Sequence, residues 1–394
     1  MNKKISKKLI AILFICIGFA FGFLINQKIN EKVFYKLFTH DNLNFSLLLE
    51  AWNNINENFV FEDKIDTEKM MYGAVHGFIS ALDDPYTSFF DPDEAEKFQE
   101  DLEGSFEGIG IQITKRDNQI KIISPIKNTP AEKIGILAGD TIEKINSENI
   151  SSLDLDTIVQ KIRGEKGTTV TLSIIRDSKK LTFAIKRDTI KVPNCELEFI
   201  ESDKIALLSI FQFSETTSRD VEKEVTAILN KGNIKGIILD LRNNPGGLVH
   251  EAKNVASLFL KKDLPIVKEC DKNNECFWLK SNGPGKLADI PIVILINKGT
   301  ASAAEILAGA LKSNIEDTML VGETSFGKGL VQKVMYLSDG SIIKITTENW
   351  YTPDDEIIHD IGIKPHLEIE LTEEDVENNK DTQLEKAIEI INNK

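Results

Sequence analysis

The chain has 394 residues, enough for two or three domains. Its formal net charge of −15 argues against nucleic acid as a partner, because phosphate binding needs a basic face. Cys270 and Cys276 have no histidine or second cysteine pair beside them, so no metal is expected, and no cofactor either. Lys3, Lys4, Lys7 and Lys8 precede an uninterrupted apolar run over residues 9–25, at the short end for a membrane span. Positive residues stay in the cytoplasm, so the rest of the chain is expected outside it, anchored on the periplasmic or another extracytoplasmic face. A signal peptide cleaved near Ala20 or Gly22 is the rival reading, but the run continues through Phe23, Leu24 and Ile25, which favours an uncleaved anchor. This segment takes residues 1–28.

Residues 41–100 read as helical. Leu47, Leu48, Ala51, Ile55 and Phe59 recur at helical spacing, as do Met70, Ala74, Phe78 and Leu82. Asp83-Asp84-Pro85-Tyr86 stops the second helix, and Pro92 starts a third. No chemistry is visible here; the region reads as a packing or dimerisation module.

Across residues 101–188 the texture changes to short strands and turns. Gly108-Ile109-Gly110-Ile111 opens a strand, and Ile120 to Ile123 is the next. Pro130 starts a short helix, Ala138-Gly139-Asp140 is a turn, and Leu155 to Ile162 is helical. Val170 to Ile175 and Leu181 to Ile185 complete the set. The glycine loop, the turn and the element order resemble a PDZ domain of the bacterial type. Such a loop leaves backbone N–H groups free for a terminal carboxylate, and the strand edge at Gly108, Ile109, Gly110 and Ile111 can accept an extended peptide. A small β domain without a ligand is the plainer alternative.

Residues 189–371 read as α/β. Ile205 to Ile210 is a strand, Val221 to Leu229 a helix, and Lys235 to Leu241 a buried strand. Arg242-Asn243-Asn244-Pro245-Gly246-Gly247 follows, then a helix from Leu248 to Leu260. Paired glycines at a strand end let backbone approach a ligand closely, which makes Gly246 and Gly247 candidates for an oxyanion site. Cys270 and Cys276 flank a hairpin tip, either as free thiols or, in an exported domain, as a disulfide. An apolar strand, Pro291 to Ile296, leads through Gly299-Thr300-Ala301-Ser302-Ala303-Ala304-Glu305 into an Ala- and Leu-rich helix. Ser302 therefore sits where a strand turns sharply into a helix. A final helix, about Gln383 to Ile391, lies within residues 372–394.

Gly322-Glu323-Thr324-Ser325-Phe326-Gly327-Lys328-Gly329 nearly matches a phosphate-binding loop. Gly329 replaces the hydroxyl residue such a loop needs for Mg²⁺, and a strand follows instead of a helix, so that reading fails. The loop instead delivers Lys328 at the start of a hairpin. None of the five histidines reads as a base for Ser302; His250 comes nearest and reads as a helix-surface residue. Lys328 can serve, provided its amine is neutral. Burial among apolar groups, here Phe326 and Leu330, acts in that direction.

Ser302 in its turn, Phe-Gly-Lys328-Gly and the preceding PDZ-like segment together resemble the carboxyl-terminal processing, or tail-specific, proteases of family S41. Leu82-Asp83-Asp84-Pro85, Leu239 to Gly247, Tyr351-Thr352-Pro353 and Gly362-Ile363-Lys364-Pro365 extend the resemblance in order. It implies a crotonase-like α/β core, Ser302 as nucleophile, Lys328 as general base and Gln332 as the residue that positions the lysine. It also implies an oxyanion site from backbone N–H of Ala303 and of Gly246 or Gly247, and Arg163 as a link between PDZ occupancy and the protease. The Ser302-to-Lys328 spacing is one residue longer than the family's usual one. The implied partner is a protein substrate with an apolar C-terminal tail, the membrane is met through residues 9–25, and the N-terminal and C-terminal helices suit a homodimer. A non-catalytic peptide-binding scaffold and an acyl-CoA enzyme are the competing readings. The presence of both Ser302 and Lys328 weighs against the first, and the anchor and PDZ-like segment against the second.

Overall fold

The computed structural model describes residues 39–40, 43–116, 119–126, 128–137, 139–151, 153, 155–176, 178–202, 204–372, 375, 378 and 380–394. The anchor expected over residues 9–25 lies outside the described residues, as does Ala138 of the expected turn. Among the described residues no helix is long and apolar enough to cross a membrane. Two compact units divide between Val75 and His76.

In the first unit, helix Ser46–Asn58 has no buried residue. Leu48, Trp52 and Ile55 line an apolar cavity of about 300 Å³ with Met70, Met71 and Ala74 from the start of helix Thr67–Ser80. The helical spacing legible in the sequence thus yields an apolar stripe.

The second unit opens with a departure from the all-helical expectation for residues 41–100. Ser88–Phe90 is a strand, paired antiparallel with Ile342–Lys344 of a distant hairpin. Helix Pro92–Glu103 follows. The PDZ-like sheet is antiparallel, in the order Lys179–Lys186, Thr169–Arg176, Thr141–Ile145, Gln119–Pro125, Ile111–Arg116. Its core is built from Ile109, Ile122, Ile136, Ile145, Ile158 and Leu172, among others. Ile111–Arg116 is the outer strand of that order, with one edge unpaired among the described residues. A two-stranded ribbon, Ser105–Gly108 against Asp188–Lys191, carries the chain into and out of this domain. Neither ribbon strand stands out in the sequence, because both are short and largely polar.

The α/β core is a six-stranded sheet in the order Cys195–Ile200, Ile205–Ile210, Gly236–Asp240, Ile292–Ile296, Met319–Gly322, Leu367–Glu368. The first pair is antiparallel and the others are parallel. Parallel strands covered on both faces read as continuous apolar runs, and Ile292–Ile296 is buried at every position. Ile292, Ile294 and Ile296 pack with helices Thr217–Lys231, Val249–Phe259 and Ala303–Asn314, while Val293 and Leu295 pack with Ala387 and Ile391 of helix Thr382–Asn392. A second, antiparallel sheet runs Cys276–Lys280, Pro265–Asp271, Ile342–Tyr351, Leu330–Tyr336, and Ser88–Phe90 joins it at Ile342–Lys344. Cys270 and Cys276 face each other across its hairpin and are joined as a disulfide. Cys195 is a free thiol, pushed up to about 12 chiefly by burial.

Candidate active site

Strand Ile292–Ile296 ends in a turn whose last residue, Ser302, has φ 53° and ψ −117°. A serine in this left-handed region carries strain of roughly 1–3 kcal/mol, which the surroundings must over-determine. Thr300, fully buried, donates its hydroxyl to the Leu241 carbonyl at 2.8 Å and accepts the Asn297 N–H at 3.0 Å. Ala301 N–H donates to the Asn244 carbonyl at 2.9 Å. Ser302 N–H donates to Glu305 Oε2 at 2.8 Å, the reach-back half of a helix capping box. The serine is thereby fixed through its backbone, and its hydroxyl stands at the N-terminus of helix Ala303–Asn314.

The glycine pair lies directly against this turn. A Cβ on Gly246, whose φ is +97°, would come within 2.7 Å of both the Ala301 carbonyl oxygen and Ser302 Cβ. A Cβ on Gly247 would come within 2.2 Å of the Phe213 carbonyl oxygen. The two glycines are not equivalent as donors. Gly246 N–H donates to Asn244 Oδ1 at 2.9 Å, and Asn244, fully buried, donates Nδ2 to the Ile210 carbonyl at 2.8 Å. Gly247 N–H donates to no acceptor among the described residues. Ala303, the first residue of its helix, has an N–H outside the helical ladder. Of the two glycines, Gly247 and not Gly246 keeps an N–H without an acceptor.

The lysine loop is tied to the same helix. Glu305 is fully buried and accepts four donors: Ser302 N–H, Ser325 Oγ at 2.6 Å, Gly327 N–H at 2.7 Å and Lys328 N–H at 2.9 Å. Burial pushes its carboxyl up from the ordinary range, while those donors hold the ionised form. Phe326 N–H donates to the Thr300 carbonyl at 2.9 Å. Trp350 Nε1 donates to the Lys328 carbonyl at 2.9 Å. Gly329 has no room for a side chain, since a Cβ there would come within 2.4 Å of His359 N.

Lys328 Nζ lies 5.1 Å from the centre of the Tyr86 ring. Burial, and next the charge of Lys344, hold its amine below the ordinary lysine range, against opposing pulls from Asp84 and Glu305. Phe326, expected to supply that burial, is 56% exposed; Tyr86 covers the amine instead. Among the described residues no hydrogen bond joins Ser302 Oγ to Lys328 Nζ. Gln332 Nε2 donates to Thr346 Oγ1 at 3.5 Å rather than to Lys328. The regular strand begins only at Leu330, and its pairing shifts between Val331 and Gln332, so simple alternation from residue 328 does not fix which face Gln332 takes.

Similarity to known proteins gives the family. Residues 204–369 match the model of peptidase family S41, residues 108–186 that of a PDZ domain, and residues 26–94 that of the activating protease CtpB N-terminal domain. Over 328 residues the chain is 41% identical to the carboxy-terminal processing protease CtpA of Bacillus subtilis, covering 83% of this chain and 69% of that protein. It is 38% identical over 324 residues to CtpB of the same organism, covering 81% and 66%. The chain belongs to peptidase family S41. It is a serine-type peptidase with a PDZ domain, of the carboxy-terminal processing group. The structure of a photosystem II D1 C-terminal processing protease is similar, with a TM-score of 0.54 and 27% identity over 82% of this chain and 92% of that one.

A cavity of about 890 Å³ opens in this peptidase at the carboxyl ends of the core strands, where α/β sheets bind ligands. Ile126 of the PDZ domain lines it together with Phe211, Gln212, Asn243 and Asn297. In the PDZ loop, Ile109 is fully buried, and Gly110 has φ +79° with Thr129 against its Cα. The carbonyls of Ile109 and Gly110 accept Ala131 and Ile126 N–H, so they face into the domain. The N–H groups of Ile109 and Gly110 donate to no acceptor among the described residues. Gly108 ends the ribbon strand, and Ile111 begins the outer sheet strand. Arg163 stacks its guanidinium 4.5 Å from the centre of the Phe106 ring in the ribbon.

Several residues at the site had no role in the sequence reading. Glu305 had a signal, since it stands three residues beyond a serine at a helix start. Asp84 stood in the Leu82-Asp83-Asp84-Pro85 motif of the resemblance, but nothing there tied it or Tyr86 to the lysine, because both lie in the chain far from both loops. The His359 ring also lies 6.2 Å from that of Tyr86. His250 is exposed beside Glu251, as a helix-surface residue would be.

Proposed function

We propose that this peptidase is a Ser–Lys dyad endopeptidase that captures proteins by apolar C-terminal tails on its PDZ domain and cuts them at Ser302. The observation that carries the reading is the joint anchoring of the nucleophile turn and the lysine loop by one buried carboxylate, Glu305. Lys328, neutral, takes the proton as Ser302 Oγ attacks the scissile carbonyl. Gly247 and Ala303 N–H groups receive the oxyanion. The lysine then gives its proton to the leaving amine, and water released of a proton by the same amine hydrolyses the acyl-enzyme. The dyad hydrogen bond forms as Lys328 swings from the Tyr86 face towards Ser302, a tightening expected between the free and substrate-bound states. Gln332 holds the amine in that position.

The free N–H groups of the Ile109–Gly110 loop and the open edge of Ile111–Arg116 suit a C-terminal peptide added as a strand. Arg163, stacked on the ribbon, relays its occupancy to the core. The enzyme acts on exported proteins from an anchor at residues 9–25, a placement supported by the Cys270–Cys276 disulfide, which an oxidising compartment favours. The apolar stripe of its first unit suits self-association. The test is cleavage of an unfolded protein with an apolar C-terminus by Ser302→Ala and Lys328→Ala variants. Both are expected to be inactive, and unchanged turnover in either one would remove the dyad.

A further inference from the structure

The active-site lysine has a second lysine for company. Lys344 is half-buried on strand Ile342–Tyr351, and among the described residues neither Lys344 nor Lys328 has an ion-pair partner within direct contact. Two residues along the same strand face stands Thr346, which meets Gln332 across the hairpin. Lys344 sits between Val334 on one side and Ser88 on the other. The segment from Asp84 to Phe90 links the two amines. Tyr86 presents its ring to Lys328 at 5.1 Å, and Phe90 presents its ring to Lys344 at 5.7 Å. Phe98, stacked on Phe90 with centres 5.0 Å apart, adds a second face for Lys344 at 5.8 Å. Asp84 acts on both amines as an anion, but its oxygens are already committed to Tyr86 N–H at 3.0 Å and Thr87 Oγ1 at 2.6 Å. Thr87 Oγ1 in turn accepts Thr346 N–H at 3.1 Å, which fixes this segment to the strand.

We propose that Lys344 is a positioning residue for the reaction, a fixed second cation whose charge keeps the amine of Lys328 free of its proton. The proposal rests on Lys328 being the general base. Two ammonium groups that share one committed carboxylate cannot both hold a proton cheaply. The asymmetry of the surroundings decides which one yields. Lys344 has two aromatic faces, which favour a cation. Burial holds both amines below the ordinary lysine range, but Lys328 has one ring and feels the charge of Lys344 as well. The other charged or titratable groups around Lys328 are Glu305 beneath its loop, Tyr86 over it, and His359 and Asp360 on the turn behind Tyr86. Glu305 and Asp84 pull a proton towards Lys328, so without Lys344 the balance moves against a neutral base.

The experiment is the pH dependence of Ser302 labelling by a fluorophosphonate, measured on the full chain, beside kcat/KM for a peptide substrate. In Lys344→Met, which keeps the length of the stem, the acidic limb of both profiles moves to higher pH and the rate at neutral pH falls about tenfold. Lys344→Arg keeps the charge, and its limb stays close to that of the parent. A role in packing alone would lower thermal stability without moving the limb. An unmoved limb in Lys344→Met, with the protein folded, overturns the proposal. If Lys344→Met fails to fold, Lys344→Gln takes its place with the same expected movement. Lys328→Ala separates the two claims, because activity surviving there would discard the general base itself, whatever Lys344 does.

Discussion

The Ser302 turn and the lysine loop meet at Glu305 but are held by different physics. The turn is fixed by backbone hydrogen bonds and by the absence of side chains. Thr300, Ala301 and Ser302 are tied to Leu241, Asn244 and Glu305, and Gly246 lies flat against them. The loop has a fixed backbone too, but the state of its amine depends on remote groups. Tyr86 and Asp84 come from before the PDZ domain, and Lys344 and Trp350 from the following hairpin. A serine needs only a geometry to be presented, whereas a lysine needs an environment to lose its proton.

That contrast can be broken in order of effect. Glu305→Ala strikes both halves at once, leaving three backbone donors and one hydroxyl without their acceptor. Removing a buried, paired carboxylate should cost about 3 kcal/mol or more, read by chemical unfolding, and activity should fall to background. Gly246→Ala strikes only the nucleophile side, since its Cβ must displace the Ala301 carbonyl or the Ser302 side chain. A loss in kcat of roughly 100-fold is expected, with KM and the acidic limb of the pH profile unmoved. A moved limb would show that the two halves are not separable.

Asp84→Asn strikes only the lysine side. It removes an anion that favours the protonated amine, so the acidic limb should move to lower pH, with a change in neutral-pH rate of less than about tenfold. Glu269→Gln should leave both halves alone. Glu269 is buried on strand Pro265–Asp271, with Oε1 unpartnered among the described residues, and burial followed by the charge of Glu348 pushes it up to about 7. Its folded form binds a proton more tightly than the unfolded chain does, so stability is highest at acid pH. That stability is lost as pH rises from the ordinary glutamate range through about 7. The Gln variant should flatten that fall in thermal unfolding without changing kcat; a fall that persists would place its source elsewhere.

Much of the core was legible because its physics is local. Strand Ile205–Ile210 and helix Leu155–Ile162 have the bounds their patterns give, since apolar runs and helical spacing report burial directly. Ser88–Phe90 went unread in the short gap between two helices because it becomes a strand only by pairing with Ile342–Lys344. The ribbon strands were hidden likewise, being short and polar and held by each other. At the site, Ser302 and Lys328 stood out by their glycine-rich settings, while Tyr86, Asp84, Lys344 and His359 did not. Nothing within a few residues of them marks them as neighbours of an amine.

The sequence by itself determined the strand–turn–helix around Ser302 and the glycines that let backbone approach it, because those rest on φ, side-chain size and periodicity. It also carried the carboxylate that caps the helix after Ser302, three residues from the serine. Only the tertiary structure fixed which glycine N–H remains free, since the distant Ile210 carbonyl holds the Asn244 amide in the orientation that accepts Gly246 N–H. It decided the electrostatics of Lys328 as well. Coulomb energy and desolvation depend on distance in space, and the charged groups that set them arrive from three separate segments of the chain, at Asp84, Glu305 and Lys344.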